Sequence, residues 1–568
     1  MPVVSFASHN KQIIVPEGTL LLKAARQAGI FIESPCNREG TCGKCKVLLI
    51  QGYLAGLRHE KGFHNVAPEV EQAGYVLSCQ VSVHGDINVD VPQTGPHLLS
   101  IVADGKCRMV SLDPFIGKKY DPESGTTSVT AGKYLLNTEI GDTTAMFYGV
   151  AIDIGTTTVV VALVDLKTGQ VLCSISSLNP QALHAQDVLT RIKLASTDEG
   201  LTLLHKELLL ELNRMIGALA ASEKINRSTI YEAIWSGNTT MLTIAAGKSP
   251  SSLGKYPYRV ELNTASSVSS AELGLQIAQQ GQVWFPPVAS AYVGADITAG
   301  IMAADLPRLK GITLFVDIGT NGEMALSENG KITATSTAAG PAFEGMNISS
   351  GMRAVAGAIE KVSLKSGTVA IQTISGACPV GLCGSGLLDA VAELAREGIV
   401  DRNGRFVKPG SERFATWMHH LEVLQGRPQF RLAEKVTLTQ QDIRQVQLAK
   451  AAVRAGIDMM LQTCSRNPGD VDRVFIAGSF GAHLQISSLI TLGLLPESFA
   501  DRVEFVGNTS QSGAAAFLLN RELRSDAASV VAGMTVLELS REAEFEKIFL
   551  KALAFPQLAK QKQDFYGV

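Results

Sequence analysis

Cysteine is scarce in this sequence. Nine in 568 residues, most of them scattered, are too few for a secreted disulfide scaffold. Charge of one sign is lacking too: the formal net charge is −3 with Lys and Arg spread along the chain, which argues against a general nucleic-acid surface. Aromatics are sparse, at 6%, and there is neither a basic, aromatic-rich groove nor zinc-finger spacing. No nucleic-acid partner is expected. Long apolar runs are missing as well. The most suspicious uncharged run, 366–388, is interrupted by Pro379 and five glycines, so no membrane insertion is expected. The N-terminal MPVVSFASHNKQIIVPEG has neither the basic region nor the apolar core of a signal peptide, and the expected location is the cytoplasm.

What is present is glycine, 53 residues, in a composition that is 46% hydrophobic and 18% charged. That is normal for substantial cores with many tight turns. A chain of this length is expected to form several domains. Residues 1–95 read as a compact β-rich module: two short strands within 2–15 turn near His9–Asn10, the helix LLLKAARQAG follows, then the strand KCKVLLIQG and the alternating GYVLSCQVSVHGDINVDVP. Residues 96–145 carry mixed signals and read as a linker or small connecting element.

At Phe147 the character changes. YGVAIDIGTTTVVVALVDLKTGQVL reads as two buried strands around a turn, followed by helical stretches at 202–223 and 268–280. The pattern returns in GITLFVDIGTNGEMALSENGKI, followed by helices near 385–397 and 440–464, the strand and glycine turn DRVFIAGSFGAHL, and a helix in GNTSQSGAAAFLLN. Two Asp-Ile-Gly-Thr cores, each between apolar strands, indicate a duplicated α/β domain. The expected lobes are 146–310 and 311–545, with 546–568 as a C-terminal tail that closes with a strand and helix.

Each repeated turn puts a carboxylate, a tight backbone turn and a hydroxyl at one strand end. The first offers Asp153, Gly155, Thr156, Thr157 and Thr158; the second offers Asp317, Gly319, Thr320, Asn321 and the nearby Glu323. Glycine admits backbone N–H groups to phosphate oxygens, threonine adds donors, and aspartate holds Mg²⁺ directly or through water. A pair of such turns suits a nucleotide's phosphates and metal. The plainer alternative is that Asp153 and Asp317 cap their own turns. AGKSP at 246–250 is not a P-loop, because the required upstream glycine is Leu242.

Together with IAGSFGAHL and GNTSQSGAAAF, these turns resemble the acetate kinase/sugar kinase/Hsc70/actin superfamily. NPQALHAQDVLTRI, SGNTTM, PPVASAYVGADITAG and STAAGPAFEGMNISSGMRA bring the chain closer to the ATP-dependent reductive activators of corrinoid proteins. The resemblance implies an α+β ferredoxin-like [2Fe–2S] β-grasp domain followed by a duplicated α/β actin-like ATPase fold that closes on Mg–ATP. It adds Asn238, Gly340, Gly478, Ser479, Gly481 and Ser512 to the nucleotide-binding candidates, and Asp296 to the carboxylates Asp153, Asp317 and Glu323. No residue stands out as the base for a hydroxyl substrate. ATP hydrolysis is therefore expected to drive conformational work.

The cysteines are spaced Cys36-x₅-Cys42-x₂-Cys45, with 33 residues before Cys79. Four thiolates suit zinc or a [2Fe–2S] cluster. Three ligands in one glycine-rich loop and a distant fourth favour the cluster over zinc or a thiol switch, and the x₅ opening resembles the adrenodoxin-like branch of ferredoxins. Cys107, Cys173 and Cys464 read as ordinary thiols, and Cys378 and Cys383 as part of a structural loop. The expected activity is transfer of one electron from the cluster to a partner corrinoid protein, reducing Co(II) to Co(I). A low-potential donor supplies the electron, and a homodimer is a candidate assembly. The alternatives are an ATP-binding iron–sulfur redox sensor or scaffold, and a metabolite kinase fused to a ferredoxin domain.

Overall fold

The computed structural model describes residues 1–30, 32, 45–52, 54–56, 74–91, 110–262, 264–408, 410–424, 426–478 and 484–557. Two compact units emerge. The first includes the N-terminal module, Val110–Ala295 and Phe517–Arg524; the second includes Asp296–Ala516 and the chain from Ser525.

In the N-terminal module a five-stranded sheet runs in the order Lys11–Ile14, Val3–Phe6, Ile87–Asp90, Lys46–Gln51, Tyr75–Leu77. Val3–Phe6 pairs antiparallel with its sequence neighbour but parallel with Ile87–Asp90, the arrangement of a β-grasp. The turn at Asn10 is left-handed, φ 48°, a conformation asparagine tolerates. Leu21, Leu22, Ala24 and Ala25 on the helix Leu21–Gln27 are buried with Val4, Phe6, Val47 and Val89. That apolar stripe is what holds so short a helix, since two turns are marginal alone.

Residues 116–140 form an antiparallel meander of Ile116–Asp121, Thr126–Ala131 and Tyr134–Ile140. A buried ion pair fastens it to the strand Ile230–Gly237: the Lys118 Nζ lies 2.7 Å from Glu139 and donates to Tyr231 Oη at 2.8 Å.

The rest of the first unit is built on a six-stranded sheet, ordered Val171–Leu178, Thr158–Asp165, Tyr148–Ile154, Ile230–Gly237, Gln282–Phe285, Ser266–Ser269. The second unit repeats its central pattern as Lys331–Thr337, Gly322–Glu328, Ile312–Ile318, Arg473–Ala477, Val503–Gly507. In both, the Asp-Ile-Gly-Thr hairpin is antiparallel and the next neighbour is parallel to its first strand. Long helices cover these sheets: Asp198–Ser222 with Leu204, Leu208, Leu212 and Met215 buried, and Gln440–Thr463 with Val446, Val453 and Ile457 buried. Both agree with the helical spacing read from sequence.

The expected helix at 268–280 is not formed. Ser266–Ser269 pairs as an edge strand with Gln282–Phe285, and only Ser270–Leu273 is helical before Gly274 turns left-handed at φ 76°. Sheet pairing overrides the local apolar spacing there. Among the described residues no helix is long and apolar enough to cross a membrane.

Candidate functional site

The first Gly-Thr turn links Tyr148–Ile154 to Thr158–Asp165. The Gly155 N–H donates to the Thr158 carbonyl at 2.9 Å. A Cβ at Gly155 would lie 2.6 Å from that same oxygen, so only glycine closes the turn. Three polar side chains hold it from behind. Asn179 Nδ2 donates to the Gly155 carbonyl at 2.8 Å, and the Asn179 N–H donates to the Thr157 carbonyl at 2.9 Å. Arg191 donates from Nη2 to the Thr156 carbonyl at 2.6 Å. Asn238 caps the helix Thr239–Ala245 through its Oδ1 and donates from Nδ2 to Thr156 Oγ1 at 3.1 Å. Thr156 thus accepts from Asn238 and keeps its own hydroxyl proton to donate, which suits a phosphate oxygen.

Neither Asn179 nor Arg191 was singled out from sequence, although both lie in NPQALHAQDVLTRI. Local signals mark the segments around them, though not the burial of Arg191 itself. Asn179 precedes a proline at the start of the 3₁₀ turn Pro180–Leu183, and Asp187 forms a capping box with Thr190 at the head of Val188–Leu194. Arg191 is fully buried, and burial lowers its pKa to about 9, still above neutral pH.

The second turn lies between Ile312–Ile318 and Gly322–Glu328, where the Gly319 N–H donates to the Asn321 carbonyl at 3.0 Å. It has a different hydroxyl arrangement: Thr320 Oγ1 donates to Glu344 Oε1. With its proton committed to a carboxylate, the Thr320 oxygen is suited to accept from water or to bind a cation. The two turns differ in length, 155–158 against 319–321, and are opposite in the polarity of their hydroxyls.

Both turns also use the same glycine support. Gly237 ends the parallel neighbour of the first hairpin at φ 151°, and a Cβ there would stand 2.6 Å from the Ile154 carbonyl. Gly478 follows the corresponding strand of the second unit at φ 114°, with the same 2.6 Å approach to the Ile318 carbonyl. Ser479 and Gly481, read as nucleotide-binding candidates, lie outside the described residues.

Asp153 sits half-buried at the end of its strand, opposite Val160 and Ser236. In the second unit Asp317 is the strand partner of Glu323, and Asp296 lies in the first turn of the helix Ala295–Ala303. Glu323 is buried. Desolvation, then the charges of Asp296 and Asp317, push its pKa well above the ordinary carboxylate value. The sequence-selected carboxylates Asp296, Asp317 and Glu323 therefore form one electrostatic group. Among the described residues no three His, Cys, Asp or Glu side chains are arranged to hold a metal by themselves.

Gly340 has φ 77° and open space at its Cβ position, and it precedes the 3₁₀ turn Pro341–Glu344. Ser512 is turned inward: its hydroxyl donates to the Asn508 carbonyl at 3.1 Å within the helix Thr509–Leu519. Cys383 is buried at the head of Gly384–Arg396, with Sγ 3.2 Å from the Ile359 carbonyl. Cβ atoms at Gly384 and Gly386 would strike the carbonyls of Phe343 and Ile359 at 1.8 and 2.1 Å. ACPVGLCGSG is thus a packing loop, and its glycines allow close backbone approach.

Of the four cluster candidates, Cys36 and Cys42 lie outside the described residues. Cys45 and Cys79 are buried, and their Sγ atoms stand 3.2 Å apart, far beyond the ~2.05 Å of a disulfide. Two thiolates on one tetrahedral metal centre, with metal–sulfur bonds of about 2.3 Å, would be separated by roughly half an ångström more. A small outward shift makes the pair fit such a centre.

A 2Fe-2S iron-sulfur cluster binding domain matches residues 7–84, the RACo middle region matches 148–309, and the C-terminal domain of RACo, the ASKHA domain, matches 311–566. The chain is 34% identical over 423 residues to the corrinoid activation enzyme RamQ of Eubacterium limosum, covering 72% of this chain and 70% of that protein. It is 23% identical over 448 residues to the [Co(II) methylated amine-specific corrinoid protein] reductase of Methanosarcina barkeri, covering 72% and 77%. A solved reductive activator for corrinoid, iron-sulfur protein aligns over 98% of both chains, with a TM-score of 0.73 and 31% identity.

Proposed function

This chain belongs to the RACo-like family of corrinoid activators, which join a 2Fe-2S domain to an ASKHA body, and from that premise we propose how its own residues serve the activity. The chain is an ATP-dependent iron–sulfur reductase that returns the cobalt of a corrinoid protein from Co(II) to Co(I). The observation that carries this is the combination, in one chain, of two buried thiols 3.2 Å apart and a duplicated Asp-Ile-Gly-Thr hairpin. An ATP-binding redox sensor would carry the same two features, and electron transfer to a corrinoid protein separates it from this reading.

Cys36, Cys42, Cys45 and Cys79 hold the cluster, which supplies one-electron transfer. Burial of Cys45 and Cys79 keeps water from their sulfurs. In the body, Thr156 donates its hydroxyl proton to a phosphate oxygen of ATP, with Asn238, Asn179 and Arg191 fixing the turn. Asp153 and Asp317 serve Mg²⁺ through water, and Thr320 offers its oxygen to the metal or its waters. Gly319, Asn321 and Gly340 give the nucleotide close access to backbone. Ser479 and Gly481 belong to the adenosine side in this reading, and Ser512 supports the site through its helix. Asp296 and Glu323 control the local charge, so phosphate departure changes the balance on the second turn.

A [2Fe–2S] centre near the potential of plant-type ferredoxins, about −400 mV, makes reduction to Co(I) difficult. ATP hydrolysis favours a complex in which the cobalt's surroundings make the transfer feasible. The partners are therefore a corrinoid protein of a methyl-transfer system and a low-potential electron donor, and the setting is the reducing cytoplasm. The test is anaerobic reduction of the chain followed by visible spectroscopy of a candidate corrinoid protein. Co(I) is expected with ATP and not with a non-hydrolysable analogue. Equal extents in both would sink the coupling.

A further inference from the structure

Cys79 is flanked by two hydrogen-bond donors. Gln80 follows it, with Nε2 3.6 Å from Cys79 Sγ, within reach for an N–H···S bond. Ser78 precedes it and is fully buried. The Ser78 N–H donates to the Cys45 carbonyl at 2.9 Å, so this residue lies beside both described cysteines. Its Oγ has no hydrogen-bond partner among the described residues. A buried hydroxyl without an acceptor costs about 1–3 kcal/mol, and alanine would fill the same position without that penalty. An acceptor outside the described residues accounts for the serine, and sulfur of a bound cluster is the acceptor this neighbourhood offers.

We propose that the Ser78 hydroxyl and the Gln80 carboxamide are donors to sulfur of the bound [2Fe–2S] cluster and that together they raise its reduction potential. The inference rests on the reading of Cys36, Cys42, Cys45 and Cys79 as cluster ligands. The physics is differential. Reduction adds one electron to a cluster whose sulfurs already carry negative charge, and a fixed N–H or O–H stabilises the more negative state more strongly. The two donors ease electron acceptance from the low-potential donor. They also weaken the cluster's drive toward Co(II), which enlarges the task left to ATP.

The test is a redox titration of the full cluster-loaded chain, followed by its visible spectrum and by the electron spin resonance of the reduced form. Ser78→Ala and Gln80→Leu are each expected to lower the ratio of reduced to oxidised cluster about fivefold at a fixed potential, the effect of losing about 1 kcal/mol of hydrogen bonding. At 59 mV per decade for one electron, that is a shift of roughly 40 mV to more negative potential. Ser78→Thr, which keeps the hydroxyl, is expected to retain the wild-type value.

A second readout separates tuning from support of the fold. In cluster-free protein, Ser78→Ala should keep or raise the melting temperature, because it removes an unpaired buried hydroxyl. A lowered melting temperature there, with an unchanged potential in the loaded protein, would overturn the assignment. Wild-type potentials in both variants at full iron and sulfide content would overturn it too. Should a variant fail to load, the wild type still decides. Its reduced cluster must show coupling to exchangeable protons that is lost in deuterium oxide, and absence of that coupling sinks the proposal. Zinc in place of iron in the wild type would instead remove the cluster reading beneath it, and the inference with it.

Discussion

The Arg191 guanidinium, fully buried, donates to the carbonyl of Thr156 at 2.6 Å, so a residue remote in sequence fixes the backbone of the first Gly-Thr turn. The same side chain donates from Nε to the Ala185 carbonyl at 3.0 Å and from Nη1 to Gln181 Oε1 at 3.2 Å. Its planar fork therefore ties the NPQAL segment to the turn, a geometry an ammonium group does not reproduce.

Arg191→Met would leave these acceptors without their donor, at about 1–3 kcal/mol for each one that stays buried. The expected result is a KM for ATP raised at least about tenfold, the equivalent of 1.4 kcal/mol, with the visible spectrum of the cluster unchanged. Arg191→Lys should recover only part of the loss. Steady-state phosphate release is the measurement, and an unaltered KM in the methionine variant would count against the clamp.

The matched glycines Gly237 and Gly478 give a second expectation. Alanine at either position combines an unfavourable positive φ, about 1–2 kcal/mol, with a Cβ 2.6 Å from a carbonyl oxygen. Each single alanine should lower the melting temperature by several degrees. Each should also reduce the stabilisation that added Mg–ATP gives, because the displaced carbonyl belongs to the residue before the turn glycine. Thermal melts with and without nucleotide check both parts. A variant with a normal nucleotide-induced shift would show that the support is not needed for binding.

The two Asp-Ile-Gly-Thr hairpins were legible because their requirements are local. Strand alternation, a tight turn and, at Gly155, a glycine with no room for a side chain all leave marks within a few residues. The same holds for Asp198–Ser222 and Gln440–Thr463, whose apolar spacing matches one buried face. Arg191 was not legible, since a buried arginine reads in sequence as an exposed one. Residues 268–280 failed for the opposite reason. The apolar spacing there is real, but the pairing of Ser266–Ser269 with Gln282–Phe285 is decided by a strand some distance away. The polarity difference between Thr156 and Thr320 was likewise hidden, since it depends on Asn238 and Glu344.

Glu323 supplies a pH signature. Its pKa lies well above the ordinary 4.5 because of burial and the neighbouring charges of Asp296 and Asp317. The folded chain therefore holds this proton at pH values where the unfolded chain has released it. Stability contributed at this position is present at low pH and declines as the pH rises above about 4.5 toward the raised folded value. Glu323→Gln mimics the protonated form and removes the decline. Without nucleotide, the glutamine variant should melt higher than the wild type at pH 8 and close to it near pH 5. Its ATP hydrolysis should fall at both pH values if the carboxylate serves the metal's waters. A variant no more stable at pH 8 would show that the site relaxes around the ionised carboxylate.

Glu232 and Arg524 set a last expectation, on how the first Gly-Thr turn is anchored. Glu232 lies fully buried in the strand Ile230–Gly237, five residues before Gly237. Arg524 meets it with two bonds, Nη1 to Oε1 at 2.9 Å and Nη2 to Oε2 at 2.8 Å. The guanidinium lies over both Phe115 and Trp284, 4.9 Å from each ring centroid. Phe115 adjoins the meander that follows the N-terminal module, so this contact ties the meander to the strand Ile230–Gly237. Removing one partner strands a buried charge, at about 3–5 kcal/mol, whereas replacing both with apolar groups of similar size is often neutral or stabilising. Glu232→Leu and Arg524→Met should each lower the melting temperature sharply, and the double variant should recover most of the loss. If the pair only stabilises the sheet, the double variant will also hydrolyse ATP normally. If the bidentate bond fixes the strand that ends at Gly237, stability will return while the KM for ATP stays raised. Because the clamp on Thr156 comes from Asn238, the residue next to Gly237, the second outcome is the expected one.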